Sequence, residues 1–231
     1  MIGRGVLLDL DDTLYPERDY FESGLAAVAD FLGRGHAETS ARALADLEAS
    51  VATYGRKSVL DRVPPPPDLP ARDAQGWTRT LLHVYRTHSP SLRLFDDAPA
   101  LLDAVRAQGG RLGLVTDGKS CVQWRKLRAL GLEARLDALV VTDDLDTPKP
   151  SPEPFRVAAA LLGLPPEACV YIADDPSKDF LGPHALGMAT IHVRRKLPWP
   201  LARPAAGAEA EAQVRVDSLT EATHWLMRNA R

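Results

Sequence analysis

The sequence predicts an α/β fold in which a Rossmann-like parallel sheet is flanked by helices and carries an inserted helical module. Short apolar runs rich in β-branched residues alternate with stretches of helical periodicity, a pattern typical of parallel sheets wrapped by helices. Three of those helical stretches end at or beside glycine, a common stop signal. The first apolar run is separated from the second by about a hundred residues, which is far more than one crossover needs.

Six apolar runs are the predicted strands, and each is followed by a turn signal. In chain order they are Gly5 to Leu8, Arg111 to Thr116, Ala138 to Thr142, Cys169 to Ala173, Ala189 to Val193 and Gln213 to Val216. The predicted helices between and after them include "DDAPALLDAVRAQG", "KSCVQWRKLRALG", "PEPFRVAAALLG" and "SLTEATHWLMRNA". Their apolar residues recur at three- and four-residue spacing, as on one face of a helix.

The long interval after the first strand predicts an inserted domain. Three segments there carry apolar residues at helical spacing: "YFESGLAAVADFLGRG", "AETSARALADLEASVATYG" and "DAQGWTRTLLHVYRTH". We therefore expect residues 1–15 and 96–231 to form an α/β core domain and residues 16–95 to form a helical cap domain.

Composition excludes several classes of protein. The chain has 231 residues, 45% hydrophobic and 26% charged, with a formal net charge of −3, which does not indicate a nucleic-acid-binding protein. No run approaches the roughly 18 apolar residues of a membrane span, and the first residues lack the features of a signal peptide. We expect a cytoplasmic protein with no membrane association, present as a monomer or homodimer.

The end of the first strand carries an unusual density of negative charge. Asp9 and Asp11 stand two residues apart in "VLLDLDDTLYPE", so that both side chains can leave the chain on the same side. In an open parallel sheet this edge borders the crevice where ligands bind. Two neighbouring carboxylates repel and raise each other's pKa unless a cation lies nearby, so the pattern suggests a metal ion.

Other strand ends and loops supply compatible groups. Thr116, Asp117 and Gly118 follow a strand and precede a helix, where a hydroxyl and backbone N–H groups can bind an anion. Lys149 lies in the proline-rich segment "DTPKPSPEPF", where its ammonium can neutralise a phosphoryl group. The segment "VYIADDPSKDF" adds further carboxylates: Asp174, Asp175 and Asp179. Such hard oxygen ligands suit Mg²⁺.

At these residues the sequence resembles the haloacid dehalogenase-like (HAD) superfamily of phosphohydrolases, so the expected architecture is an HAD-like core with an inserted cap. The resemblance extends over essentially the whole chain. The four motifs of the superfamily occur in order: Asp9-x-Asp11-x-Thr13, then Thr116, then Lys149 in "KPSP", then Asp174 with Asp179. Together these ordered motifs are far more specific than any one of them.

The resemblance implies a role for each motif residue. Asp9 is implied to attack phosphorus and Asp11 to act as general acid and then base. Thr116, the Asp117 amide and Lys149 are implied to hold the phosphoryl oxygens, and Lys149 also to keep Asp9 ionised. The resemblance further implies a set of Mg²⁺ ligands: Asp9, the Asp11 backbone carbonyl, Asp174, and Asp179 or Asp175 directly or through water.

The expected activity is Mg²⁺-dependent hydrolysis of a small phosphorylated metabolite, with nucleotides, sugar phosphates and phosphocarboxylates all open. Haloalkanoate dehalogenases resemble this fold and use the same first aspartate, but they lack an acid at the position of Asp11 and do not depend on Mg²⁺, so the sequence favours phosphate over halide. A phosphomutase and a catalytically idle phosphometabolite-binding regulator remain alternatives.

The sequence also suggests roles for several residues besides those to which the resemblance assigns a catalytic or metal-binding role. Asp117 stands where many relatives carry Asn, and its effect depends on whether the side chain points into the cleft. Asp12 is expected to accept hydrogen bonds in a turn, and Tyr15 and Tyr20 to lie near the cleft entrance. We expect Trp77 and Tyr85 in the core of the cap. Cap residues that could read the leaving group are His36, His83, His88, Arg56, Lys57, Arg79 and Arg86.

Overall fold

A computed structural model describes residues 5–67, 73–197, 204–205 and 207–229. The chain divides into two compact units, one made of Met1–Glu17 with Leu92–Arg231 and the other of Arg18–Ser91. The first unit contains six parallel strands among its described residues, in the order β3-β2-β1-β4-β5-β6. The strands are β1 (Gly5–Leu8), β2 (Arg111–Thr116), β3 (Ala138–Val141), β4 (Cys169–Ala173), β5 (Ala189–Val193) and β6 (Val214–Val216).

The central position of β1 determines where a ligand site can form. This strand pairs with β2 on one side and β4 on the other, with Leu8 level with Leu114 and Ile172. The strand order therefore runs outward in both directions from β1, and the carboxyl ends of β1, β2 and β4 meet at one edge. In open parallel sheets ligands bind at this edge, where the strand order reverses.

Helices cover the sheet and complete the predicted α/β fold. Five of the eight α-helices in the described residues belong to this unit: α4 (Ala98–Ala107), α5 (Ser120–Ala129), α6 (Glu153–Leu161), α7 (Leu181–Ala185) and α8 (Leu219–Asn229). α6 packs on β2 and β3, and α4 packs on β2 and α8. The predicted fold class is confirmed, because a parallel sheet wrapped by helices is what the alternating pattern indicated.

Two predicted strands are one residue too long. β3 ends at Val141, because Thr142 begins a short 3-10 turn and its hydroxyl donates to Asp117 Oδ1 at 2.7 Å. β6 begins at Val214, since the Gln213 N–H donates to the side-chain hydroxyl of Thr190 on β5 and not to a backbone carbonyl of that strand. In both cases a hydrogen bond that involves a side chain distant in sequence replaces the backbone pairing at the strand end. The apolar pattern of the sequence does not reveal such a partner.

The second unit, Arg18–Ser91, is helical. Its helices are α1 (Glu17–Gly33), α2 (Ala37–Tyr54) and α3 (Ala74–Thr87). Tyr85 meets the Tyr20 ring edge-on at 5.7 Å, and a Cβ on Gly24 would lie only 2.3 Å from the Tyr85 ring. Tyr20 is therefore buried, with its ring packed on other residues of this helical unit. His88 joins the same cluster by bonding the Tyr85 carbonyl at 2.6 Å.

None of the helices in the described ranges combines the length and the apolar character that crossing a bilayer would require.

The core beneath the ligand-binding edge is tightly packed, and Phe155 of α6 is at its centre. Phe155 is fully buried and its ring lies 4.8 Å from that of Tyr171 on β4. Leu161, at the end of the same helix, is 59% exposed. The two side chains thus offer a matched comparison between a buried and an exposed apolar group.

Phe155→Ala should lower the free energy of unfolding by about 3–5 kcal/mol, because it removes buried contacts and leaves a cavity. Leu161→Ala should change it by only about 0.5 kcal/mol or less. Urea denaturation followed by circular dichroism measures both values. Equal decreases in the free energy of unfolding of the two variants would contradict the burial of Phe155 and the exposure of Leu161.

Candidate active site

Asp9 lies at the carboxyl end of β1, in the middle of the ligand-binding edge. Its backbone N–H donates to the Ile172 carbonyl of β4 at 3.0 Å, so the pairing of β1 with β4 continues to this residue. Asp9 is buried, and its Oδ1 accepts a hydrogen bond from Lys149 Nζ at 2.7 Å. The strand therefore fixes the backbone, and the lysine fixes one carboxylate oxygen.

Lys149 is a buried cation with three hydrogen-bond partners. Besides Asp9, Nζ donates to Asp179 Oδ1 at 2.6 Å and to the Tyr171 hydroxyl at 3.1 Å. An ammonium has three donors, so these contacts satisfy it. Burial alone lowers the pKa of Lys149, but the carboxylates of Asp179 and Asp9 outweigh burial and hold that pKa well above its usual range. Lys149 therefore stays charged.

Three carboxylates gather beside this lysine. One oxygen each of Asp9, Asp174 and Asp179 lies within 4.8 Å of the others. Burial raises the pKa of Asp9 to about 6, and burial together with Asp9 raises the pKa of Asp174 well above its usual range. Burial and the neighbouring carboxylates thus disfavour the ionised forms of Asp9 and Asp174. A bound divalent cation would favour those ionised forms. A set of hard, buried carboxylate oxygens fits Mg²⁺.

The side chain of Asp175, the alternative to Asp179 among the predicted metal ligands, forms hydrogen bonds within the turn after β4. Asp175 Oδ1 accepts from the N–H and hydroxyl of Ser177 at 3.0 and 2.6 Å, which closes the turn after β4. Thr13 lies close to the carboxylate group, with its hydroxyl 3.4 Å from Asp174 Oδ1. The expectation that Thr13 supports this loop fits that contact.

Thr116 ends β2, where its buried hydroxyl accepts a hydrogen bond from Gln123 Nε2 at 2.6 Å. Gly118, two residues later, has a φ of +127°, a region that side-chain-bearing residues rarely adopt. A Cβ there would also press on Gln123 at 3.2 Å. Glycine thus lets the chain turn from β2 into α5 directly after the predicted phosphate-binding residues.

The side chain of Asp117 braces the loop that carries Lys149. Its Oδ1 accepts from the Thr142 hydroxyl at 2.7 Å and from the Lys149 backbone N–H at 3.2 Å. Its Oδ2 lies 3.6 Å from Lys178 Nζ. The carboxylate is therefore engaged by the protein, and an amide oxygen at this position could accept the same two hydrogen bonds. This explains why Asp can replace Asn here.

Asp11 is hydrogen-bonded by a different set of side chains from Asp9. Lys126 Nζ donates to its two oxygens at 2.8 and 2.9 Å, Gln123 Nε2 donates at 3.1 Å, and the Tyr15 hydroxyl donates at 2.5 Å. Burial raises the pKa of Asp11, but Lys126 outweighs this and the pKa lies below its usual value. Tyr15 is fully buried, with its hydroxyl against Asp11.

Sequence reasoning missed Gln123, Lys126 and Tyr171. Gln123 and Lys126 are buried on α5 beside Leu127 and Leu130, at positions where the helical period calls for apolar residues. A polar residue on the buried stripe of a helix is a signal that could have identified both. Tyr171 sits in an apolar strand, and nothing in the sequence distinguishes its hydroxyl.

The other acidic residues have local roles. Asp12 has a φ of +56° and its Oδ1 accepts from the Glu17 N–H at 2.9 Å, in keeping with the expected turn role. Asp143 accepts from Lys119 Nζ at 2.7 Å and from the Ser120 N–H at 3.0 Å at the start of α5. Neither residue belongs to the group of carboxylates around Lys149.

The bracing role of Asp117 can be tested by two substitutions. Asp117→Ala should lower the free energy of unfolding by about 1–3 kcal/mol, because Thr142 and the Lys149 N–H lose their acceptor. Asp117→Asn retains an acceptor and loses only the long contact with Lys178, so it should cost less than about 1 kcal/mol. Thermal and urea unfolding of both variants measure the difference. Equal destabilisation by Asn and Ala would contradict this role.

The sequence of this chain is similar to those of known hydrolases and phosphatases. The family model of haloacid dehalogenase-like hydrolases matches residues 4–187. The chain is 30% identical over 203 residues to glyceraldehyde 3-phosphate phosphatase of Methanopyrus kandleri, covering 83% of this chain and 84% of that protein. It is 31% identical to phosphoglycolate phosphatase of Xylella fastidiosa, covering 81% and 79% of the two proteins.

Solved structures share the fold. An HAD phosphatase from Thermococcus onnurineus matches with a TM-score of 0.62 at 24% identity, covering 98% of both chains. A 2-haloacid dehalogenase from Pseudomonas syringae matches with a TM-score of 0.66 at 24% identity, covering 99% of both chains. With the family match extending over most of its length, this chain belongs to the haloacid dehalogenase-like hydrolases.

Proposed function

We propose that this hydrolase is a Mg²⁺-dependent phosphomonoesterase that acts through an aspartyl-phosphate intermediate on a small phosphorylated metabolite. One observation carries the proposal: the buried Asp9 carboxylate at the end of β1 is held by Lys149 Nζ at 2.7 Å, amid two further carboxylates. A buried nucleophile beside a fixed cation suits an anionic substrate, because positioning and charge neutralisation dominate phosphoryl transfer.

In the first step Asp9 attacks phosphorus. Lys149 holds Oδ1, so the attack belongs to Oδ2, which forms the new P–O bond while the bond to the leaving oxygen breaks. In this proposal the ion pair between Asp11 and Lys126 opens when substrate binds, and Asp11 takes up a proton from water. Asp11 then gives that proton to the leaving oxygen, and the alcohol departs. The products of this step are an aspartyl phosphate on Asp9 and an ionised Asp11.

In the second step water attacks the same phosphorus atom. Asp11 takes the water proton, the bond between Asp9 and phosphorus breaks, and inorganic phosphate forms. Asp9 regains its carboxylate and Asp11 its proton, so both residues are ready for another cycle. Thr116 and the Asp117 N–H hold the phosphoryl oxygens through both steps, and Lys149 joins them by exchanging its contact with the Tyr171 hydroxyl for a phosphoryl oxygen.

The Mg²⁺ site would be formed by the carboxylates of Asp9 and Asp174 and the backbone carbonyl of Asp11, with Asp179 or Asp175 acting directly or through water. When bound, Mg²⁺ neutralises charge on the phosphoryl oxygens and on these carboxylates. Asp179 already accepts from Lys149, and its Oδ2 accepts from the Asp175 N–H at 3.0 Å. We therefore propose that Asp179 orients Lys149 as well as supporting the ion.

The substrates of the curated relatives suggest a substrate class. Two relatives are named for glyceraldehyde 3-phosphate and phosphoglycolate, which are phosphate monoesters of two or three carbons. We propose a similarly small phosphorylated aldehyde, alcohol or acid as substrate. In this proposal residues 16–95 form a helical cap domain, and the protein works as a monomer or homodimer.

The test is phosphate release from a panel that includes glyceraldehyde 3-phosphate, phosphoglycolate, phosphoserine, sugar phosphates and nucleotides. Wild-type protein should release phosphate with Mg²⁺ and lose the activity when the ion is chelated. Asp9→Asn should lower turnover by about 10³-fold or more, because it removes the nucleophile and nearly preserves shape. Asp144→Asn, an exposed aspartate, is the matched control and should retain wild-type activity.

Three results would overturn the proposal. Turnover that survives Asp9→Asn would exclude Asp9 as the nucleophile, and full activity in chelator would exclude the Mg²⁺ requirement. Conversion between sugar-phosphate isomers without net phosphate release would instead identify a phosphomutase.

A further inference from the structure

The turn after β4 carries a second lysine, Lys178, which the four sequence motifs do not include. It stands one residue before Asp179, whose carboxylate binds the Lys149 ammonium. The Asp175 carbonyl accepts from the backbone N–H groups of Lys178 at 3.3 Å and of Asp179 at 3.0 Å. Ser177 closes the same turn by donating to Asp175 Oδ1. The turn therefore fixes the backbone of Lys178 directly beside that of Asp179.

The ammonium of Lys178 differs from that of Lys149 in its hydrogen bonding. Lys149 Nζ uses all three of its donors, and its side chain is fully buried. Lys178 Nζ lies 3.6 Å from Asp117 Oδ2, which is longer than a hydrogen bond, and it donates no hydrogen bond within the part of the chain that the structure describes. Its side chain is 31% exposed. Lys178 thus keeps donors that a bound molecule can reach.

The positive charge of Lys178 acts on the nucleophile. Burial raises the pKa of Asp9 to about 6, and the ammonium groups of Lys149 and Lys178 both oppose this increase. Charges interact at longer range in a buried site than in bulk water. Two cations therefore act on Asp9, and Lys178 is the one whose donors are not used by the protein.

We propose that the Lys178 ammonium binds an oxygen of the transferring phosphoryl group, as a second cation beside Lys149. Lys178 lies next to the proposed phosphoryl site, because the residue whose Oδ2 it faces, Asp117, also supplies a phosphoryl-binding N–H. Lys149 has to release the Tyr171 hydroxyl to reach a phosphoryl oxygen, whereas Lys178 has no hydrogen bond to release. This inference rests on the proposed function, since it places a phosphate ester beside Asp9.

Inorganic phosphate is the probe for this contact, because it presents a phosphoryl group without a leaving group. In the presence of Mg²⁺, Lys178→Met should raise the Kd for inorganic phosphate by about 10-fold or more, as expected for the loss of a hydrogen bond between charged groups. The same variant should lower kcat/KM for the best substrate by about 100-fold, the scale of loss when one donor to a developing charge is removed. Isothermal titration calorimetry and phosphate release measure these two quantities.

Binding of Mg²⁺ in the absence of phosphate separates this role from damage to the fold. Lys178→Met removes a positive charge near Asp9 and Asp179, so the Kd for Mg²⁺ should stay the same or decrease. A distorted site would instead bind both Mg²⁺ and phosphate more weakly. Lys178→Arg keeps the charge and should retain most of the phosphate affinity. Arg128→Met removes an exposed cation that is paired with Glu133, and it should leave both affinities unchanged.

The outcomes distinguish this proposal from the one on which it rests. An unchanged phosphate affinity in Lys178→Met, or no measurable phosphate binding to the wild-type protein, would show that the ammonium does not hold a phosphoryl group and would overturn the proposal. Weaker binding of both phosphate and Mg²⁺ would identify a structural role and overturn it as well. A wild-type protein that binds phosphate through Lys178 but hydrolyses no substrate would instead overturn the proposed function alone.

Discussion

The buried ammonium of Lys149 is the interaction on which the rest of the site depends. It contacts Asp9 at the end of β1 and Asp179 in the loop after β4, and it uses its third donor on the Tyr171 hydroxyl. Without this cation, two buried carboxylates would lie close together and lose the ammonium that is hydrogen-bonded to both, which is strongly unfavourable. The backbone of Lys149 is fixed in turn by Asp117, so the position of the charge follows from the geometry of the loop.

Sheet topology brings these groups together from distant parts of the chain. Because β1 lies between β2 and β4, Asp9, Thr116 and Asp174 emerge at neighbouring strand ends. The sheet positions Asp9, Thr116 and Asp174, whereas Asp11 is held by Lys126 and Gln123 of α5. Asp9 and Asp11 therefore depend on contacts from different parts of the fold, although only one residue separates them in the chain.

The strands and most of the site could be predicted because their signals are local. Apolar runs predicted β1, β2, β4 and β5 to the residue, and the order of the motifs indicated that Asp9 and Lys149 belong together. The role of the Asp117 side chain could not be predicted, because Thr142 comes within reach only after β3 pairs with β2. Lys126 is similar: helical periodicity places it on the buried face, but its partner depends on how α5 packs.

The most direct test of this account is to find where the phosphoryl group resides during turnover. Wild-type protein mixed with its best substrate and Mg²⁺, quenched in acid within one turnover and digested, can be analysed by tandem mass spectrometry. We expect a phosphoryl group on Asp9 of the wild-type protein. The Asp9→Asn variant treated in the same way should carry no phosphoryl group. Phosphate release that proceeds with the group on another residue, or with no covalent intermediate, would contradict it.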